Sequence, residues 1–404
     1  MYGVVLAAGQ GTRMRPLTDH RPKPLLPAAG RPLLEHVFDA CIDVVDEFVV
    51  VIGYRGSDVV DRLGRAYEGV PISCVDQPGP AGTAHAIAQA RGVVDERFVV
   101  LNGDVLVDPT LPAALAAASG TAIATTPVAD PRSYGVVSVG DDGSMEGIVE
   151  KPADPPTNLA NVGCYAFDPA VFEYIDRTGT SERGEYEITD TLDLLLADGD
   201  TISVVEYDGR WLDVGRPWEL LCATELLLAG IERDVRGDVE AGARLRGDVV
   251  VEPGATVREG VTVEGPAVVQ SSAEVGPNAY VRGATVVGSG AEVGHGVEVK
   301  NSILMDGAAV PHLSYVGDSI LGRDVNLGAG TQVANLRHDE ASVEMTVKGD
   351  RVDTGRRKLG VVLGDGVKTG INVSLNAGVK VESGAGFDPG TVVLRDIGDE
   401  SDLG

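Results

Sequence analysis

The chain has 404 residues, with 33 basic and 61 acidic side chains and a formal net charge of −28. Single hydrophobic cores rarely grow past about 250–300 residues, so this length predicts two domains. Only seven of the basic residues are Lys, and so acidic and Lys-poor a surface argues against nucleic acid or an anionic membrane as partner and fits a protein kept soluble in a salt-rich, halophilic cytoplasm.

Residues 4–26 read VVLAAGQGTRMRPLTDHRPKPLL. Val4, Val5 and Leu6 are of strand type and run into Ala7, Ala8, Gly9, Gln10, Gly11 and Thr12, small residues whose backbone can approach a ligand closely. Such a loop suits phosphate: exposed N–H groups cradle an anion, Arg13, Arg15 and Lys23 add positive charge, and prolines 16, 22 and 24 restrict the loop. The third glycine of the dinucleotide fingerprint is missing, and so is the Gly-Lys-Ser/Thr of a Walker loop. The stretch LAAGQGTRMRPLT followed by PKPLLP resembles the signature of sugar-1-phosphate nucleotidylyltransferases. That resemblance implies a Rossmann-like mixed α/β sheet, with Leu6, Ala7, Ala8, Gly9, Gly11 and Thr12 on the nucleotide and Arg13 and Lys23 in catalysis.

Helical spacing over 32–45, the strand FVVVIG, a helix over 57–67 and the strand-like VPISCVDQ continue an α/β alternation with a mainly parallel sheet. Ligands bind such sheets beyond the carboxyl ends of strands, so the loops there are where chemistry belongs. One such loop, 77–83, offers Gln77 as both donor and acceptor to a base edge, and by resemblance Gln77, Gly82 and Thr83 read the pyrimidine. Another ends the strand FVVLNGD at Asp104. A nucleoside triphosphate needs Mg²⁺, which takes one or two carboxylates plus phosphates; the resemblance supplies Asp104 and Asp213 as its ligands. Between them, Gly135, Glu150, Lys151 and Asn161 follow the family order of sugar contacts, polar groups suited to hydroxyls and a phosphate.

A helix over 217–233 joins the domains. Beyond it aliphatic residues fall at every sixth position from Val239 to Val299, the hexapeptide repeat of a parallel β-helix. The register slips by one near Leu304, Val310 and Val316, slips again at Leu321, Leu327 and Val333, and resumes at Val361. In hexapeptide families three hexads make one left-handed turn and the coils assemble as trimers, so a homotrimer is implied by resemblance. Arg282 and Lys300, 18 residues apart, then stack on neighbouring rungs at the strand spacing of about 4.8 Å and read as a phosphate clamp.

The segment around His312, with NLGAGT and ANLRHD beyond it, resembles the acetyltransferase domain of bifunctional glucosamine-1-phosphate acetyltransferase/N-acetylglucosamine-1-phosphate uridylyltransferases. The family's amino-sugar site maps onto Arg282, Lys300, His312, Tyr315, Asn326 and Asn335, with His312 as general base and a backbone N–H near Ala329 for the oxyanion. One position departs: the family's lysine after the second Asn falls on Ala341, so Arg337, Lys348 or the stretch Arg356-Arg357-Lys358 must replace its charge, or the activity is weak.

The resemblance covers nearly the whole chain, dividing it into a nucleotidylyltransferase domain (1–216), a linker helix (217–235) and a β-helix acyltransferase domain (236–404). It implies Mg²⁺, acetyl-CoA as acyl donor, a nucleoside triphosphate with UTP favoured over dTTP, and a sugar-1-phosphate. Rival readings are a monofunctional glucose-1-phosphate uridylyl- or thymidylyltransferase whose coil is only an oligomerisation scaffold, and a catalytically dead scaffold subunit. The second is disfavoured because Arg13, Lys23, Asp104 and Asp213 are all present. Cys41, Cys74, Cys164 and Cys222 lie far apart without metal spacing and read as reduced core residues. No charged leader with an apolar core precedes the first strand and no apolar run spans a bilayer, so a soluble cytoplasmic protein is expected.

Overall fold

The computed structural model describes residues 1–79, 81–181 and 183–398. Pro80 of the expected base-reading loop and the last six residues of the expected coil domain lie outside them. The chain separates into two compact units. The first comprises Met1–Gln10, Pro22–Leu25 and Leu33–Asp213; the second comprises Gly11–Arg21, Leu26–Pro32 and everything from Val214 onward.

The first unit is built on a ten-stranded mixed sheet. Its centre is parallel: strand Tyr2–Ala7 lies between Glu47–Ile52 and Phe98–Asn102, and Val70–Asp76 adds beyond Glu47–Ile52. These strands are almost continuously apolar because helices cover both faces. The strand period of two sends Val4, Val49, Val51 and Val100 into one buried cluster and Val5, Val50, Val99 and Leu101 into the other. The far side of the sheet is antiparallel, with Leu159–Phe167 pairing Phe98–Asn102, Ala122–Pro127 and Gly135–Val139. The helix expected over 57–67 ends at Leu63, because Gly64 takes φ 66 and stops it. Ala66–Tyr67 instead pairs with the start of Val70–Asp76 as a short antiparallel strand.

The second unit is a left-handed parallel β-helix: two eight-stranded sheets and a five-stranded one stack their short strands rung on rung. Partners are 18 residues apart in the first turns, as in Val249↔Ala267 and Val281↔Val299. The spacing drops to 17 at Val286↔Ile303, Val293↔Val310 and Val299↔Val316, where the aliphatic pattern slips. It stretches to 42 at Ile320↔Val362, where a hairpin of Glu344–Val347 and Asp350–Asp353 is inserted, and returns to 18 at Val362↔Lys380. Stacks of Val, Leu and Ala from all three faces, among them Val263, Val281, Val299 and Val316, fill the interior. The joining helix is shorter than its pattern suggested, Pro217–Leu228, and Leu228 packs with Val268, Ala284 and Val286 of the coil and with Ala29.

All four cysteines are free thiols, but only Cys41 and Cys164 are core residues. Cys222 is half-buried, and its Sγ accepts a hydrogen bond from Arg356 at 3.1 Å. No helix among the described residues is long and apolar enough to cross a membrane.

Candidate active sites

In the first unit the polar groups gather beyond the carboxyl ends of the parallel strands. Leu6 and Ala7 end the first strand, and the loop after it is held by its neighbours: Gly103 N–H donates to the Leu6 carbonyl at 2.9 Å and Tyr54 N–H to that of Ala8 at 3.3 Å. The approach is close enough that a Cβ on Gly53 would sit 2.8 Å from the Ala8 oxygen, which explains a glycine there. Gly9 has open space around it, and the N–H groups of Gly9 and Gln10 have no protein acceptor among the described residues. In the second unit, Gly11 takes the left-handed backbone (φ 63) ahead of the turn Thr12–Met14, and its carbonyl accepts from Thr18 Oγ1 at 2.9 Å. Arg13 is exposed, and its guanidinium packs over Gly215.

Lys23, buried in the short turn Lys23–Leu25, makes an ion pair with Asp104. Asp213 joins them through a two-stranded ladder, Val105–Val107 with Trp211–Asp213, in which Asp213 is the partner of Val105, the residue after Asp104. The two expected metal ligands, 109 positions apart in sequence, thus occupy adjacent positions in the fold. Among the described residues no set of three or more potential ligands forms; Mg²⁺ shared with phosphates takes one or two carboxylates.

The expected base-reading residues are committed to scaffolding as well. Gln77 is buried and donates from Nε2 to the Gly82 carbonyl at 3.2 Å; His85 Nδ1 lies 3.0 Å from the same nitrogen. Gly82 has φ 101, and a Cβ there would fall 2.3 Å from the Tyr186 carbonyl oxygen. Thr83 Oγ1 accepts from Ile188 N–H at 2.9 Å. The loop is therefore stapled to the stretch 185–188.

Gly135, Glu150 and Asn161 do come together: Gly135 pairs with Glu150 across the hairpin, and a Cβ on it would lie 3.1 Å from the Glu150 carboxylate and 3.6 Å from Asn161. A cleft of about 470 Å³ is lined by Glu150, Lys151, Ser181, Arg183, Glu187, Thr189 and Asp190. Asn161 stands outside this lining: its Nδ2 donates to Tyr165 OH (2.7 Å) and its Oδ1 accepts from Gly163 N–H (2.9 Å). Arg183, which motif reading passed over, bridges Glu187 at 2.6 Å and Glu150 at 3.3 Å. Burial, opposed by Arg183, raises the Glu187 carboxyl above its usual range; burial and the nearby Glu150 charge do the same to Asp190.

In the second unit Arg282 and Lys300 are direct partners on neighbouring rungs, as the repeat predicts. Both cations are already paired: Arg282 Nε donates to Glu298 at 2.8 Å and Lys300 Nζ to Asp318 at 2.7 Å. The clamp geometry is present, but its charge is largely compensated. Asn335 Nδ2 donates to Asp318 at 2.6 Å and to Tyr315 OH at 3.1 Å. Gly317, the next rung above Lys300, leaves the room these groups occupy; a Cβ there would meet Tyr315 OH at 2.4 Å.

His312 is exposed at the end of strand Ala309–His312, in register with His295 one rung below. Asn326, also exposed, bridges Ala309 and Lys368 along that face. In the turn expected to hold an oxyanion, Gly328 N–H is taken by Thr369 Oγ1 at 2.8 Å and Gly330 N–H by the His312 carbonyl at 3.2 Å. The Ala329 N–H has no protein acceptor among the described residues. Ala341 is exposed. Of the cations near it, Arg337 pairs with Asp339 (2.6 Å), Arg357 with Glu340 (3.1 Å) and Arg356 with Glu225 (2.5 Å). Lys358 bridges Leu336, beside Asn335.

The nucleotidyl transferase family model matches residues 2–230. The chain belongs to the nucleotidyl transferase family. A second model, the GMPPB C-terminal domain, matches 263–381 of this nucleotidyl transferase. The "Bifunctional protein GlmU" of Methanocaldococcus jannaschii is 41% identical over 98% of this chain and 96% of its own length. A "Bifunctional sugar-1-phosphate nucleotidylyltransferase/acetyltransferase" of Sulfurisphaera tokodaii is 36% identical over 98% of each chain. Among solved structures, a crystal structure assigned as a glucose-1-phosphate thymidylyltransferase of Bacillus anthracis is 30% identical with TM-score 0.51, covering 56% of this nucleotidyl transferase and 95% of that chain.

Proposed function

We propose that this nucleotidyl transferase is a bifunctional enzyme that makes UDP-N-acetylglucosamine, acetylating glucosamine-1-phosphate at the coil and joining the product to a uridylyl group at the sheet. The observation that carries this reading over a scaffold role for the coil is the convergence of Lys300, Tyr315, Asp318 and Asn335 into one hydrogen-bonded cluster. A coil needed only for assembly has no use for a half-buried polar cluster, which costs desolvation at every group.

At the sheet, the glycine loop 8–11 and Arg13 hold the triphosphate and Lys23 the phosphate to be attacked. The base rests on the Gln77–Gly82–Thr83 loop, and the sugar lies against Gly135, Glu150 and Asn161 with Lys151 and Arg183 on its phosphate. A phosphate oxygen of the sugar-1-phosphate attacks the α-phosphorus in line, and the bond to pyrophosphate breaks. Asp104 and Asp213 would hold Mg²⁺, which when bound withdraws charge from the phosphate oxygens.

At the coil, Arg282 and Lys300 engage the sugar phosphate, and Lys358, beside Asn335, takes the place of the family lysine absent at Ala341. The amine nitrogen attacks the thioester carbonyl of acetyl-CoA, His312 accepts the amine's proton, Ala329 N–H receives the developing oxyanion, and the CoA thiolate leaves. Asn326 lines the same face. The assembly is a trimer through the coil, UTP is the preferred nucleotide, and the cytoplasm, where both donors are found, is its compartment.

The test pairs two assays on the full chain: pyrophosphate release over a panel of nucleotides and sugar phosphates, and thiol release from acetyl-CoA with glucosamine-1-phosphate. Activity in both supports the proposal. Pyrophosphate release from glucose-1-phosphate without thiol release from any amino-sugar phosphate would establish the monofunctional alternative.

A further inference from the structure

The coil turns three corners per rung, and one corner column changes character along the chain. By the register Arg246↔Glu264↔Arg282↔Lys300↔Gly317, the residues one position on are Gly247, Gly265, Gly283, Asn301 and Asp318; the same 17-residue offset adds Asn335. Gly247, Gly283, Asn301 and Asp318 all have left-handed backbone, with φ 71, 67, 48 and 52. Glycine is the unstrained choice there, and Asn or Asp the tolerated polar one. The switch from Gly to Asn, Asp and Asn falls on the rungs of Lys300, Tyr315 and Gln332.

Asp318 is 3% exposed. A carboxylate so buried requires partners, and it has three: Lys300 Nζ at 2.7 Å and Asn335 Nδ2 at 2.6 Å on one oxygen, and Asn301 Nδ2 at 3.0 Å on the other. Asn301 gives its amide also to Glu225 of the helix Pro217–Leu228, at 2.7 Å, and Glu225 is held by Arg356. The result is a chain of alternating charge, Arg356 to Glu225 to Asn301 to Asp318 to Lys300, each carboxylate flanked by a cation and sharing one amide.

An ionised carboxylate only accepts hydrogen bonds, so it dictates which end of a neighbouring amide faces it. Asp318 takes one proton of Asn335 Nδ2 and Tyr315 OH takes the other, which leaves Oδ1 as the side-chain atom available to a ligand. Oδ1 is an acceptor, suited to the N–H of an amine. We propose that Asp318 is the positioning residue of the acetyl-acceptor site: it fixes Lys300, imposes the Asn335 orientation that presents Oδ1 to the acceptor's amine, and is itself steadied from the linker helix by Asn301 and Glu225. This rests on the coil being an amino-sugar acetyltransferase, as proposed above.

Asp318→Asn keeps the shape and the left-handed backbone but can turn its own NH₂ toward Asn335 and has no charge for Lys300. In the full-length protein it raises the KM for glucosamine-1-phosphate roughly 10- to 100-fold, the scale of a lost charge-assisted hydrogen bond. The KM for acetyl-CoA and the rate of pyrophosphate release stay unchanged, and Glu225→Gln shifts the acceptor KM the same way but less. Because Asp318 acts through its partners, adding Asp318→Asn to a Lys300→Met, Asn335→Ala background changes acceptor KM little further, whereas a merely structural role would add its full effect. An unchanged acceptor KM in Asp318→Asn, or full additivity, overturns the proposal. If the wild type acetylates no amino-sugar phosphate, the functional reading fails, and positioning is read instead by NMR with isotope-labelled lysine, of which the chain has only seven. A Lys300 ammonium signal slowed in solvent exchange in the wild type and lost in Asp318→Asn sustains the positioning role; identical signals end it.

Discussion

The sheet unit and the coil gather polar side chains in opposite ways. In the sheet unit each group arrives on its own loop: Lys23 on a short turn, Asp104 after a central strand, Asp213 on a returning ladder strand, Glu150 on an antiparallel hairpin. Several loops of this unit are locked by close backbone contacts at glycines, Gly82 against Tyr186 being the tightest. In the coil a single repeat does the gathering, so that Arg282 meets Lys300 and Glu298 meets Tyr315 because they are one turn apart. A loop-built site can be tuned residue by residue and fails through local strain. A rung-built site inherits its geometry from the repeat and is adjusted only at corners and slips.

The largest expected effect breaks one site while sparing the other. His312→Ala should lower the kcat of acetyl transfer by roughly 10²- to 10⁴-fold and leave pyrophosphate release at the wild-type rate; undiminished acetylation would remove His312 from the chemistry. Conversely, Asp104→Asn or Asp213→Asn should cost pyrophosphate release about 10³-fold, the scale of losing an essential electrostatic group, with thiol release preserved. If both variants kept near-normal pyrophosphate release, the ladder would not be the metal-holding element.

A stability experiment sharpens the contrast between locked loops and rungs. Gly82→Ala puts a Cβ into the Tyr186 backbone at a left-handed φ, and it should destabilise the first unit by about 1–3 kcal/mol, seen as a lower urea midpoint and a raised nucleotide KM. Gly64 also has a positive φ, with ψ −145, but has open space around it, so Gly64→Ala should cost the backbone strain alone, about 1 kcal/mol, and leave the nucleotide KM alone. Equal effects would mean that backbone strain alone, and not the close approach, makes Gly82 necessary.

Salt and pH give the smallest shifts. With a net charge of −28, self-repulsion should be relieved by counterions, so the melting temperature should rise by several degrees from dilute buffer to molar KCl; a maximum at low salt would refute the halophilic reading. Burial raises the Glu187 carboxyl above its unfolded value despite Arg183, so the folded state binds that proton more tightly than the unfolded chain. Stability should therefore fall as pH rises above the ordinary Glu range of about 4.3 and through this group's raised folded value, and Glu187→Gln should flatten that part of the melting profile. An unaltered profile would place the linkage elsewhere.

Much of this protein was legible in its residues. Small residues after an apolar run marked a loop with open space at Gly9, and the sixfold spacing of aliphatics marked the coil, its two slips and the Arg282–Lys300 stack, because a solenoid's contacts are nearest-neighbour and its spacing is its geometry. What only the tertiary structure decided were the partners. Nothing in the spacing says that Lys300 is neutralised by Asp318, that Arg183 pairs with Glu187 and Glu150 at the cleft, or that Asp213 arrives beside Asp104. Those depend on where corners, hairpins and returning strands deliver side chains from distant positions. The Gly-to-Asn-to-Asp change at the corner column could have been found by aligning the chain at 17 and 18 residues, but its meaning could not. Whether a buried carboxylate is a liability or a positioning device depends on the donors around it, and only the packed structure supplies them.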